Sequence, residues 1–135
     1  MSLVDDAARV RENAYAPYSG YRVGAAILDE TGRVHAGANV ENASYGATIC
    51  AERAAVLAMV AAGGRRIEGL AVATEDGGTP CGMCLQVLAE FADPSLPILI
   101  IEGRNGNKFH WTTLAELFPR PFASDALERA EDAGR

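Results

Sequence analysis

Apolar residues fall into short segments along the chain, and the period within each segment predicts an element. Over residues 3–15 they recur at helical spacing, and the pattern stops before Pro17, whose ring disfavours helical geometry at the preceding position. Residues 21–28 and 34–40 read as strands. Between them Asp29-Glu30-Thr31-Gly32 supplies turn-forming side chains, so the three segments predict a hairpin. Residues 48–62 are rich in Ala, Leu, Met and Val on every face, which predicts a buried helix ended by Gly63-Gly64. Residues 67–74 form a strand, 80–91 a helix with proline at its opening, and 97–102 a strongly apolar strand. Two strands joined through a helix are expected to pair in parallel by a right-handed crossover. Residues 108–111 add a last strand and 114–117 a short helix. Strands alternating with helices in this way indicate a layered α/β arrangement. The sequence shows no internal repeat or linker, so residues 1–135 are expected to form a single domain. Residues 124–135 lack an apolar face and are expected to be a loose tail.

Composition narrows the function more than the fold. The 49% hydrophobic and 22% charged fractions are those of an ordinary globular protein, and no apolar run approaches the ~18 residues of a membrane span. No basic region followed by an apolar core opens the chain, so a cytoplasmic location is the expectation. Twelve basic residues against 18 acidic give a formal charge of −6, with a single lysine, Lys108, and a single adjacent basic pair, Arg65-Arg66. Phosphate backbones require clustered Lys and Arg, so a nucleic acid polymer is not the expected partner. A small substrate without many charges is.

The three cysteines give that substrate a chemistry. Cys50-Ala51-Glu52 and Pro80-Cys81-Gly82-Met83-Cys84 account for all of them, and both segments fall where a helix is predicted to begin. Unpaired N–H groups and the positive end of the helix dipole stabilise thiolates there, the form that binds metal. Cys81 and Cys84, three apart, share a helix face, and Cys50 would approach from a second helix on the same side of the sheet. A structural zinc site takes four protein ligands, whereas a catalytic one keeps three and leaves a position for water or substrate. Zinc lowers the pKa of water from about 15.7 to near 7, and a carboxylate two residues from a ligand, Glu52, can move the released proton. Taken alone, Cys-x-x-Cys is also found in redox motifs and incomplete zinc knuckles. The combination with Cys-x-Glu is the signature of zinc-dependent nucleobase deaminases.

Around these ligands stand Ala16-Pro17-Tyr18-Ser19, Val23-Gly24-Ala25-Ala26, Asn39-Val40-Glu41-Asn42-Ala43-Ser44-Tyr45-Gly46 and Cys50-Ala51-Glu52-Arg53. With them the chain resembles, from about Ala14 to Phe122, the small homotetrameric cytidine deaminases. The resemblance implies a three-layer α/β/α fold with a mixed five-stranded sheet and one zinc ion per subunit held by Cys50, Cys81 and Cys84. Glu52 would act as the proton shuttle while water adds to the amino-bearing carbon of cytidine or deoxycytidine, releasing ammonia in pyrimidine salvage. Arg53 would donate to the ligand sulfurs and offset the charge of three thiolates. Asn39 and Glu41 match the positions that hold the ribose hydroxyls. Two apart on extended chain, they point to one side, although Asn39-Val40-Glu41-Asn42 taken alone would serve equally as a turn. Tyr21 and Ala51 match positions beside the pyrimidine. Ala43 and Tyr45 match positions through which a neighbouring subunit reaches the sugar, and Phe122 the aromatic that closes over the base, which implies a homotetramer with shared active sites.

Two positions depart from the family pattern. Tyr21 stands where a phenylalanine is usual and adds a hydroxyl that needs a partner. Leu85 stands where arginine commonly follows Cys-x-x-Cys. These departures keep open a sister deaminase acting on a modified cytosine nucleoside, whereas the segment Asn39 to Gly46 speaks against the other alternative, a blasticidin S-like antibiotic. His35 and His110 have no ligand spacing to the cysteines and are assigned surface or packing roles, as Trp111 is assigned to packing.

Overall fold

The computed structural model describes residues 2–103 and 105–123, so the expected tail, 124–135, lies outside the described residues. Five strands form one sheet in the order β2-β1-β3-β4-β5: β1 is Gly24–Asp29, β2 Val34–Ala38, β3 Ile67–Thr74, β4 Pro97–Glu102 and β5 Lys108–Thr113. Only β3 and β4 run parallel, with Leu70 opposite Ile98 and Ala73 opposite Ile101. The other pairings are antiparallel, so the sheet is mixed.

Side-chain alternation then assigns the two faces. Ile27, Leu70, Val72, Ile98 and Ile100 turn toward α2 (Ala51–Ala61), α3 (Gly82–Phe91) and α4 (Leu114–Leu117), where they pack with Val56, Met59, Leu88 and Leu114. Ala26, Ala71, Ala73, Leu99 and Ile101 turn the other way and meet Ala7, Leu3 and Val4 of α1 (Leu3–Arg11). The result is three layers, α/β/α. Small side chains bring the layers close where the site forms. A Cβ on Gly37 of β2 would lie 2.5 Å from the backbone nitrogen of Ala55, so α2 can cross β2 at that height only over glycine.

Helix α1 stops at Arg11, four residues before Tyr15, because Tyr15 gives its backbone to a neighbouring segment: its N–H donates to Asn39 O at 2.9 Å and its carbonyl accepts from Glu41 N at 2.8 Å. Strand β1 starts at Gly24 and not at Tyr21, since the Asn39 side chain takes the ladder's place there. Its Oδ1 accepts from Val23 N at 2.9 Å and its Nδ2 donates to Tyr21 O at 2.7 Å. Residues 48–50 are extended, with Ile49 bridged to Val40, so α2 starts at Ala51. The expectation that this helix is buried all round does not hold, because Leu57 is 60% exposed and Ala58 and Ala61 are exposed beside it. Trp111 is likewise 73% exposed on the edge strand β5 and not packed inside.

Both histidines pair with carboxylates. His35 Nε2 lies 2.8 Å from the fully buried Asp29, and His110 Nε2 lies 2.7 Å from Glu102. Leu85, 9% exposed, belongs to the core beneath α3, which accounts for an apolar side chain at that position.

Candidate active site

The site lies where β3 ends and two helices begin. Cys50 is the N-cap of α2 and Cys81 the N-cap of α3, both with extended backbone. Cys84 follows one turn into α3 and is fully buried. These choices place all three Sγ atoms within 4.8 Å of one another, with Cys50 to Cys81 at 3.8 Å and Cys81 to Cys84 at 3.5 Å. Thiolates at ~2.3 Å from a tetrahedral zinc lie about 3.8 Å apart, so the cluster fits the ion both in donor type and in span. All three are free of disulfides.

Electrostatics act on the same atoms. A hydrogen bond from the Cys84 thiol, and then Arg53, draw the Cys50 pKa down, while the Cys50 sulfur pushes that of Cys84 up. Arg53 Nη2 donates to Thr48 O at 3.1 Å and to Cys50 Sγ at 3.7 Å. Its buried Nε has no partner among the described residues, which leaves a donor beside the sulfur cluster. Glu52 enters from the second position of α2. It is 5% exposed, and burial, with the charge of Cys50 adding to it, raises its pKa.

A cavity of about 170 Å³ opens over Cys50, Cys81 and Glu52. Ala51 forms part of its lining, with Tyr21, Asn39, Thr74 and Thr79 around it, and Glu52 is the one carboxylate in that lining among the described residues. The wall residues Thr48, Gly78 and Thr79, in loops near the cysteines, and Thr74, at the end of β3, carry no sequence signal of their own. Asn39 is 8% exposed, and both ends of its amide are held by the backbone of residues 21–23. Glu41 does not line this cavity. It faces an adjoining hollow of about 340 Å³ with Tyr18, Asn42 and Tyr45, and Thr48 stands between the two spaces and lines both. There its carboxylate accepts from the N–H groups of Tyr18 and Ser19 and from the Ser19 hydroxyl, which lower its pKa.

The remaining residues lie outside the cavity in the chain itself. Tyr45 is 77% exposed and stacks edge-on against Tyr18, and Ala43 is exposed in the same loop. Phe122 is also exposed, with its carbonyl accepting from Gln86 Nε2 of α3 at 2.8 Å.

The chain is similar to known proteins. Residues 1–100 match the cytidine and deoxycytidylate deaminase zinc-binding region. A cytidine deaminase of Sporosarcina psychrophila is 39% identical over 132 residues, covering 96% of each chain. One from Halalkalibacterium halodurans is 40% identical over 127 residues, covering 93% of this chain and 95% of its own. Among solved structures, a cytidine deaminase from Burkholderia pseudomallei superposes with a TM-score of 0.83 at 40% identity, over 90% of this chain and all of the other. That of Mycobacterium tuberculosis gives 0.76 at 39% identity, over 90% of this chain and 94% of its own.

Proposed function

The chain belongs to the cytidine and deoxycytidylate deaminase family, and from that premise we propose that it hydrolyses cytidine and 2′-deoxycytidine to the corresponding uridines and ammonia. The observation that carries this reading is the pairing of a zinc-sized triangle of sulfurs with one buried carboxylate in one small cavity. Cys50, Cys81 and Cys84 would hold the ion. Once bound, zinc supplies Lewis acidity, which brings the pKa of water near 7.

The chain's own residues do the rest. Glu52, shielded from solvent, takes a proton from water and passes it to the ring nitrogen beside the reacting carbon. It then takes the remaining proton from the added hydroxyl and passes it to the exocyclic nitrogen; the carbon–nitrogen bond breaks, ammonia leaves and the water oxygen stays on the ring as the carbonyl. A raised carboxyl pKa suits this duty, since a group that shuttles protons must hold them as readily as it releases them. Arg53 offsets the thiolate charge at Cys50. Tyr21 and Ala51 shape the space for the base, and Asn39 in the same lining, with Glu41 in the adjoining hollow, is assigned to the ribose.

We further infer a homotetramer in which neighbouring chains complete each site. Supporting this, Tyr45, Leu57, Met83 and Phe122 are all more than half exposed, and Ala43, Tyr45 and Phe122 do not line the cavity of their own chain. Three unpaired cysteines suit a cytoplasmic setting, where nucleoside salvage would place the enzyme. The relatives support cytidine over a modified nucleoside or an antibiotic as substrate.

A panel of cytidine, 2′-deoxycytidine, free cytosine and blasticidin S, assayed for ammonia with zinc-loaded protein, tests the reading. Fast release from the two nucleosides and little from the others is expected. Release confined to blasticidin S, or none at all, would overturn it.

A further inference from the structure

Two walls of the cavity are joined by a contact that the chemistry above does not use. Tyr21 belongs to the segment between α1 and β1, and Asp76 to the loop that carries the chain from β3 to Cys81. Tyr21 Oη donates to Asp76 Oδ1 at 2.6 Å. The same carboxylate oxygen accepts from Gly78 N at 3.0 Å, and at the base of the loop Thr74 Oγ1 accepts from Gly77 N at 2.8 Å and Gly78 N at 3.0 Å. The other wall is anchored as firmly. Tyr21 N donates to Ser19 Oγ at 3.0 Å, and Tyr21 O accepts from Asn39 Nδ2 at 2.7 Å.

The fit around the hydroxyl is close. A Cβ on Gly78 would lie 2.5 Å from Tyr21 Oη, so a side chain there would have to displace the phenol from this loop. Tyr21, Thr74, Gly78, Thr79 and Cys81 all line the cavity. The hydrogen bond therefore spans from the wall carrying the aromatic ring to the loop leading into a candidate zinc ligand. A phenylalanine would offer the same ring without this link. The proton stays on the phenol, because burial and the adjacent carboxylate raise the Tyr21 pKa, while the hydrogen bond from Tyr21 lowers that of Asp76.

We propose that Asp76 is a positioning residue that acts through the Tyr21 hydroxyl to fix the width of the substrate cavity, so that the pair sets nucleoside binding and leaves the chemical step alone. The effect on nucleosides rests on the deaminase reading given above; the link between the two walls does not. Because the contact is partly exposed, its loss should raise the KM for cytidine by about fivefold, equivalent to ~1 kcal/mol.

Kinetics on the zinc-loaded protein and on its Tyr21→Phe, Asp76→Ala, Asp76→Asn and Tyr21→Phe/Asp76→Ala forms test this, together with amide hydrogen exchange at Gly77 and Gly78. The account predicts that Tyr21→Phe and Asp76→Ala each raise KM about fivefold with kcat within about twofold, and that the double variant is no worse than either single. Asp76→Asn, which keeps the Oδ1 acceptor, should recover most of the loss, and the two glycine amides should exchange faster in Tyr21→Phe and Asp76→Ala. Unchanged KM in both single variants of an enzyme that turns over cytidine would overturn the proposal, as would additive losses in the double variant. If the unsubstituted protein does not deaminate cytidine, the functional reading fails by itself. Amide exchange then decides the link: faster exchange in both variants upholds it, and unchanged exchange refutes it.

Discussion

Replacing Glu52 by glutamine separates its proton chemistry from its place in the structure. The amide matches the carboxylate in size, so packing in a site only 5% exposed should survive. What is lost is the capacity to take and return protons. General acid–base catalysis contributes about 10²- to 10⁴-fold. No second carboxylate among the described residues lines the cavity to substitute for Glu52, which places the expected loss in the upper half of that range. A fall in kcat of about 10³- to 10⁴-fold corresponds to ~4–5.5 kcal/mol at about 1.36 kcal/mol per decade. KM should shift far less, because the amide still fills the same space and can still form hydrogen bonds. Thermal stability should hold or rise, since burial already disfavours the carboxylate form. The assay follows cytidine absorbance and ammonia, with metal content measured on the same preparation. A kcat within tenfold of the parent would refute the proton role. Loss of zinc from the variant would show instead that Glu52 supports the metal site.

Cys84→Ser removes a buried sulfur from the triangle, and zinc measured by atomic emission should fall well below the parent's stoichiometry, with activity falling in step. Gly37→Val forces a side chain against the α2 backbone at Ala55, so the melting temperature should drop by the equivalent of about 1–3 kcal/mol or more; an unchanged melting temperature would contradict the crossing described for α2 and β2. Asp29 accepts from Thr31 N and Oγ1 and from Arg33 N, and lies beside His35 Nε2, contacts that hold its pKa below the ordinary carboxyl value. Its contribution is therefore full above about pH 4 and is lost as pH falls through its depressed folded value. Asp29→Asn should melt lower than the parent by a constant margin at neutral and mildly acid pH, with the margin closing only in stronger acid. A margin that closes near neutral pH would exclude this assignment.

Much of the fold could be read from periodicity. The segments 67–74, 97–102 and 114–117 coincide with β3, β4 and α4, because the apolar runs 70–73 and 98–101 are buried inside the layers and Leu114 anchors the short helix. Boundaries near the site were less legible. Tyr21 to Val23 look like strand but are held by the Asn39 side chain, and Tyr15 looks helical but pairs with residues 39–41. Both depend on contacts with residues distant in sequence, which no local pattern records. The exposed side of α2 misled for a related reason, since apolar composition reports that a face will be covered without saying whether the same chain covers it. The cysteines and Glu52 were legible because metal chemistry fixes both residue type and spacing. Asp76 was not, because an acid in a glycine-rich loop is ordinary, and its role emerges only from the 2.6 Å contact with Tyr21.

The most direct test of the central claim, that three thiolates and one buried carboxylate make a hydrolytic deaminase, is a single time course of zinc-loaded protein with cytidine, before and after metal removal by a chelator. The account predicts conversion to uridine with one equivalent of ammonia, abolished by metal removal and restored by added zinc. No conversion by fully loaded protein, or conversion indifferent to the metal, would contradict it.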